Sequence, residues 1–301
     1  MSALDPRDVL TRPAPPPDHV LRYGPGPDQV ADVRLPPGPG MPGAEPAPVL
    51  VLLLHGGFWR AAYDRTHLGP LAAALAAENF VVCTPEFRRT GQPGGGWPGT
   101  FDDVAAAVDR LPGLVRPALP GAVGPGRVIL AGHSAGGHLA LWSAGRHRLS
   151  ADSPWHPMPG GAGAGGVSSA SDVSGASGAK VAGVVALAPV SDLAACYRAG
   201  LDDDAVSALL GGGPAEQPER YAAADPARLV PLGVPVRIVH GTADDRVPFA
   251  MSRSFAELAR TAGDLVELDV LAGGGHFAVI DPLSTVWPAV LAAFRAVAAH
   301  G

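Results

Sequence analysis

Four short stretches hold residue types that could do chemistry together. The first is Gly132-His133-Ser134-Ala135-Gly136, between an apolar run at 128–131 and a helix-forming run at 135–147. A serine on a tight strand-to-helix turn projects its hydroxyl above a sheet. Small flanking residues give that strained turn its room. The helix start behind the hydroxyl favours the negative charge that develops on an attacked carbonyl. Ser134 is therefore the candidate nucleophile.

The second stretch is His55-Gly56-Gly57-Phe58-Trp59, directly after the apolar run Val49–Leu54. Glycine there lets the backbone approach a substrate and turn an N–H toward its carbonyl oxygen. One oxyanion donor is expected from Ala135 and the other from Gly57 or Phe58, which the sequence does not separate. The third stretch, His240-Gly241-Thr242-Ala243-Asp244-Asp245-Arg246-Val247-Pro248, follows another apolar run. A carboxylate at a strand end can hold a histidine in the required tautomer. Adjacent residues point in different directions, so only one of Asp244 and Asp245 can serve. Asp244 is preferred, and Asp192 is a third candidate. The fourth stretch, Gly273-Gly274-Gly275-His276-Phe277, offers His276 as the base. His133 and His138 flank the serine on its own turn and cannot easily swing back onto it. His55 and His240 close strands and read as structural hydrogen-bonders. The chain order Ser, Asp, His fits this kind of sheet. Trp59 and Phe277, near loop ends, are candidate pocket residues, as are Phe87 and Trp97.

Positioning these groups needs a sheet. Continuous apolar runs at 49–54, 80–84, 127–132, 181–188, 236–240 and 265–271 suit parallel strands covered on both faces. A weaker run lies at 29–35. Helical patterns at 66–78, 101–111, 135–147, 249–262 and 283–299 alternate with them. The fold class predicted is α/β, a doubly wound, mostly parallel sheet, with a small cap region at 190–231. Residues 1–27 are Pro-rich and read as an extended N-terminal arm, and 28–301 as one catalytic domain. The segment 157–179, nearly all Gly, Ala, Ser and Val, reads as a disordered insertion.

Composition limits the partners. Hydrophobic residues are 47% of the 301 and charged residues 17%, which is globular. A net charge of −6 gives no reason to expect nucleic acid or an anionic membrane. Cys83 and Cys196 lie far apart, outside any metal-ligand spacing, and read as buried small apolar side chains. The N-terminal residues hold no basic stretch followed by an apolar one, so the cytoplasm is the expected location. The expected partner is a small-molecule ester or amide substrate, with no metal and no organic cofactor.

The motifs HGGFW, GHSAGG, HGTADDRVP and GGGHF together resemble the α/β-hydrolase superfamily over roughly residues 28–299. Within it, the HGG-x-W form resembles the kynurenine formamidase (arylformamidase) and related esterase branch. Hormone-sensitive-lipase-type esterases usually carry a third glycine where this chain has Phe58. The resemblance implies Ser134, Asp244 and His276 as a triad acting on a formamide or a carboxylic ester. Two other readings stand beside it. One is an exopeptidase-like serine hydrolase, whose usual large extra domain does not fit a chain of this size. The other is a non-catalytic ligand-binding homologue, in which a triad member is typically lost; here all three are present.

Overall fold

The computed structural model describes residues 5–37, 48–118, 127–157 and 180–300. Its centre is an eight-stranded sheet of β1 (His19–Arg22), β2 (Val30–Arg34), β3 (Val49–Leu54), β4 (Phe80–Pro85), β5 (Arg127–His133), β6 (Lys180–Leu187), β7 (Val236–Gly241) and β8 (Val266–Leu271). Their order across the sheet is β1-β2-β4-β3-β5-β6-β7-β8. The strands β3 to β8 run parallel, and β1 and β2 are antiparallel additions at one edge.

Apolar alternation shows why the sheet must be covered twice. On β3, Leu50, Leu52 and Leu54 point into one core, and Val51 and Leu53 into the other. Successive strand side chains face opposite ways, so a strand without polar positions needs helices on both sides. The first core takes Val104 and Val108 of α2 (Gly99–Ala118), Leu139 and Trp142 of α3 (Ala135–Gly145) and Phe255 of α7 (Phe249–Thr261). The second takes Leu71 and Leu75 of α1 (Gly69–Ala77) and Val290 and Phe294 of α8 (Trp287–Ala299). Cys83 and Cys196 are free thiols buried in the first core, and burial pushes the Cys196 thiol up to about 12.

Three short helices, α4 (Leu193–Arg198), α5 (Ala205–Leu210) and α6 (Pro218–Ala224), fill the region between β6 and β7 expected to form a cap. The expected helix at 66–78 begins instead as the 3-10 turn Arg65–Leu68, and α1 starts at Gly69, with Pro70 in its first turn. Proline suits that place because its missing N–H would have no acceptor there. The extended arm expected over residues 1–27 is more structured than its composition suggested. Pro6–Leu10 is a 3-10 helix, and His19–Arg22 is the edge strand β1. The Gly/Ala/Ser segment lies, beyond Pro157, outside the described residues. Among the described residues no helix is long and apolar enough to cross a membrane.

The turn after β5 brings two chain segments very close. A Cβ added at Gly136 would lie 2.1 Å from the Leu54 carbonyl oxygen and 2.6 Å from that of His55. Gly136→Ala must therefore displace the end of β3 or the start of α3. The expected cost is about 1–3 kcal/mol, read as a drop of several degrees in a thermal melt. A variant melting with the wild type would show that this contact is looser than described.

Candidate active site

The strand β5 ends at His133 and α3 starts at Ala135, which leaves Ser134 alone at the turn. Its backbone sits at φ 57°, ψ −118°. For a residue with a Cβ that conformation costs on the order of 1–3 kcal/mol and persists only where surroundings enforce it. Here the Ser134 amide donates to the Leu187 carbonyl (2.8 Å). The Ser134 carbonyl accepts from the Val190 amide (3.1 Å) and the His138 amide (3.1 Å). Ala135 heads α3, where the first amides have no acceptor inside the helix.

The segment after β3 passes directly over this turn. A Cβ at Gly56 would be 2.9 Å from the His133 carbonyl oxygen and 3.1 Å from the Ser134 Cβ. Gly57, Phe58 and Trp59 then take φ values of 103°, 48° and 58°. Gly57 and Phe58 line one narrow cleft with Ser134 and His276. Its volume is about 30 Å³, room for roughly two waters.

Trp59 does not line that cleft. It is 1% exposed, and its indole N–H donates to His138 Nδ1 at 3.2 Å. His138 Nε2 in turn donates to the Ala224 carbonyl at 2.9 Å. Burial lowers the His138 imidazole to about 4, consistent with one nitrogen accepting and the other donating. The positive φ at Phe58 and Trp59 turns the indole under the loop and into the core, so Trp59 anchors the loop from beneath. Phe87 stacks on His55 (4.2 Å, 8°) within the core, and Trp97, half-buried, packs against Phe101 and Trp155 at its edge; neither lines the cleft. Phe277 lines the cleft.

His55 ties the same loop to β4. Its Nδ1 donates to the Gly56 carbonyl (2.9 Å) and its Nε2 to Glu86 (2.8 Å). Glu86 also accepts from the Arg65 and Phe87 amides, each at 3.1 Å. Burial would raise the Glu86 carboxyl, but the charge and hydrogen bond of His55, with Arg89 nearby, hold it below its usual range.

Asp244, at the end of the loop from β7, has a fully buried carboxylate. One oxygen accepts from the backbone amides of Arg246 and Val247, both at 2.8 Å. The other faces His276 Nδ1 at 2.7 Å and His240 Nε2 at 3.0 Å. Burial pushes this carboxyl up, but the hydrogen bonds from His240 and His276 and from the backbone hold it well below the usual carboxylate range. An ionised carboxylate only accepts, so His276 carries a proton on Nδ1. His240 is fixed likewise, its Nδ1 lying 2.7 Å from the Ser252 hydroxyl. Asp245 points away, two-thirds exposed and 3.8 Å from Arg7. Asp192 caps α4, accepting from the Ala195 amide at 2.6 Å.

Two further groups shape the surroundings. His133 Nε2 donates to the His276 carbonyl at 3.0 Å, which pins the loop that carries the imidazole. Burial, then the nearby His276, pushes the His133 imidazole well below its usual value and keeps it neutral. In the cap region, Asp202 accepts from Arg60 Nε (2.8 Å) and from Arg246 (3.0 Å), bridging the Gly57–Phe58 loop and the Asp244 loop. Sequence reading missed Leu10, Tyr63, His67 and Arg246 as cleft walls. Arg246 lay inside the HGTADDRVP stretch and could have been singled out; the others carried no local signal.

Solved structures share this architecture at low identity. A truncated carbohydrate esterase from gut microbiota superposes with a TM-score of 0.72 at 20% identity, over 94% of this chain and 99% of that one. A thermophilic esterase from the planctomycete Thermogutta terrifontis, with butyrate bound, gives 0.64 at 22% identity, over 92% of each chain. Esterase B from Lactobacillus rhamnosis gives 0.73 at 17% identity, over 98% of this chain and 90% of that one. The protein thus has the α/β-hydrolase fold. By sequence it matches BD-FAE over residues 36–258 and belongs to that family. No curated protein matches it.

The buried carboxylate makes stability depend on pH. The folded-state value of Asp244 lies below the unfolded one, about 3.9. Its stabilising contribution is complete above about pH 4 and fades as pH falls through the interval between the two values. The stability gap between wild type and Asp244→Asn is therefore expected to be widest near neutrality and to narrow on acidification below about pH 4. Denaturant melts across that range check it, and a gap independent of pH would contradict it.

Proposed function

We propose that the protein is a serine hydrolase that cleaves small-molecule carboxylic esters through an acyl-enzyme on Ser134. The observation that carries this reading is the buried Asp244–His276 pair, which opens into the same narrow cleft as a serine held at a left-handed turn. His276 Nε2 takes the proton from Ser134 as its oxygen attacks the substrate carbonyl. Asp244 stabilises the imidazolium that forms and keeps its tautomer. The oxyanion takes hydrogen bonds from the Ala135 amide at the head of α3 and from Gly57 or Phe58 across the cleft. His276 then gives the proton to the departing alkoxide. Water, activated by the same imidazole, releases the acid and restores Ser134. These side chains and amides complete the cycle without a metal or organic cofactor.

Carboxylic esters are favoured over formamides on two grounds. Trp59, the residue that made the HGG-x-W stretch resemble formamidases, is an anchor in the core and does not touch the cleft. The structural neighbours are described as esterases and a carbohydrate esterase.

The test is initial rates on p-nitrophenyl acetate and N-formylkynurenine side by side. Acetate turnover is expected, and Ser134→Ala should lose about 10⁴- to 10⁶-fold of it. A strong preference for N-formylkynurenine would replace the ester reading with a formamidase. Near-wild-type activity in Ser134→Ala would overturn the nucleophile. Asp244→Asn should lose about 1000-fold or more, while Asp245→Asn, whose side chain faces solvent, stays close to wild type; the reverse ranking would move the acid role to Asp245.

A further inference from the structure

The N-terminal segment crosses the rim of the cleft and is fastened there. The 3-10 helix Pro6–Leu10 is capped by Asp5, which accepts from the Arg7 amide at 2.9 Å. Val9 is wholly buried in the same core as Leu68 and Leu71. Leu10, next to it, lines the cleft that holds Ser134 and His276. Arg12 then makes a two-pronged hydrogen bond to Asp281, one arm at 3.0 Å. Asp281 follows the 3-10 turn Ala278–Ile280 just beyond His276 and also accepts from the Leu283 amide at 2.8 Å. Farther along, Arg34, about nine-tenths buried, donates to the Pro15 and Pro16 carbonyls.

Holding a backbone in one path costs conformational entropy. This segment offsets that with a buried valine, a charged fork and a buried guanidinium, and its one side chain in the cleft is apolar. The other outer walls include Tyr63, Phe277 and His67, whose imidazole burial lowers to about 4 and keeps uncharged. Leu10 is one of ten residues that bound a space of about 30 Å³.

We propose that Leu10 is a specificity-determining residue: the strap latched by Arg12 to Asp281 forms one wall of the cleft, and the Leu10 side chain limits the size of the substrate group admitted beside Ser134. This rests on the ester-hydrolase reading of that cleft. Each methylene gained or excluded in an apolar pocket is worth about 10- to 200-fold in kcat/KM.

The test compares Leu10→Ala, Leu10→Phe and Arg12→Ala with the wild type on two substrate series. One lengthens the acyl group (p-nitrophenyl acetate, butyrate, hexanoate), and the other enlarges the leaving group (phenyl acetate, 1-naphthyl acetate). In at least one series, Leu10→Ala is expected to raise the kcat/KM ratio of larger to smaller substrate about tenfold or more. Leu10→Phe should lower the same ratio, and Arg12→Ala, which frees the strap, should shift it in the direction of Leu10→Ala. A leucine needed only for folding would scale all substrates together. Ratios unchanged in every variant, with wild-type turnover intact, would overturn the proposal. A wild type that turns over none of these esters would instead remove the reading on which it rests.

Discussion

A serine held where serine rarely sits is the constraint from which the rest of the structure follows. At φ 57° the Ser134 side chain leaves the plane of the sheet, and only close packing keeps it there. That packing reaches into three neighbours. The strand β6 accepts the serine amide, β3 ends against Gly136, and the segment after β3 crosses so near the turn that Gly56 has no space for a side chain. The parallel order β3-β5-β6 is therefore more than scaffolding. It brings the loop of Gly57 and Phe58 to one side of the serine and the start of α3 to the other, the arrangement that the proposed oxyanion donors require.

The charged partner is built on the opposite principle, with every lone pair engaged. Two backbone amides and two imidazoles converge on the Asp244 carboxylate, which favours its ionised form. His240 matters in this respect as much as His276. The His240 Nε2 lies 3.0 Å from the carboxylate and 3.1 Å from the Val247 carbonyl while its Nδ1 faces Ser252, so it steadies Asp244 from the side away from the cleft. Asp202 then joins Arg60 to Arg246, so that the loop of Gly57 and Phe58 and the loop of Asp244 are fastened to one cap residue. The left-handed run Asp202–Asp203–Asp204 bears part of the cost of reaching both.

The legible parts of the molecule are those whose cause is local. Val49–Leu54 is a strand because six apolar residues in a row suit a sheet covered on both faces, and Gly132 and Gly136 mark a turn whatever lies around it. Parts whose cause is distant did not show. The edge strand His19–Arg22 sits in a Pro-rich stretch, and its pairing with β2 is what makes it a strand. Trp59 looked like a pocket aromatic because of its place after two glycines; the backbone turn and His138, far along the chain, put it in the core. Leu10 carries no motif at all; contacts distant in the chain, the Arg12–Asp281 pair and the burial of Val9 among them, bring it to the cleft. Asp244 and Asp245 are the intermediate case. Sequence narrowed the candidate acid to two neighbours that must diverge; in the fold Asp244 takes the loop amides of Arg246 and Val247 and faces His276, while Asp245 faces solvent.

The central claim is that Ser134 is a nucleophile activated by His276. Its most direct test is covalent: incubate the protein with a fluorophosphonate, weigh the intact chain, and map the modified peptide. A single adduct on Ser134 is expected, lost in Ser134→Ala and much slower to form in His276→Ala. No adduct, an adduct on another residue, or equal labelling of Ser134→Ala would contradict it.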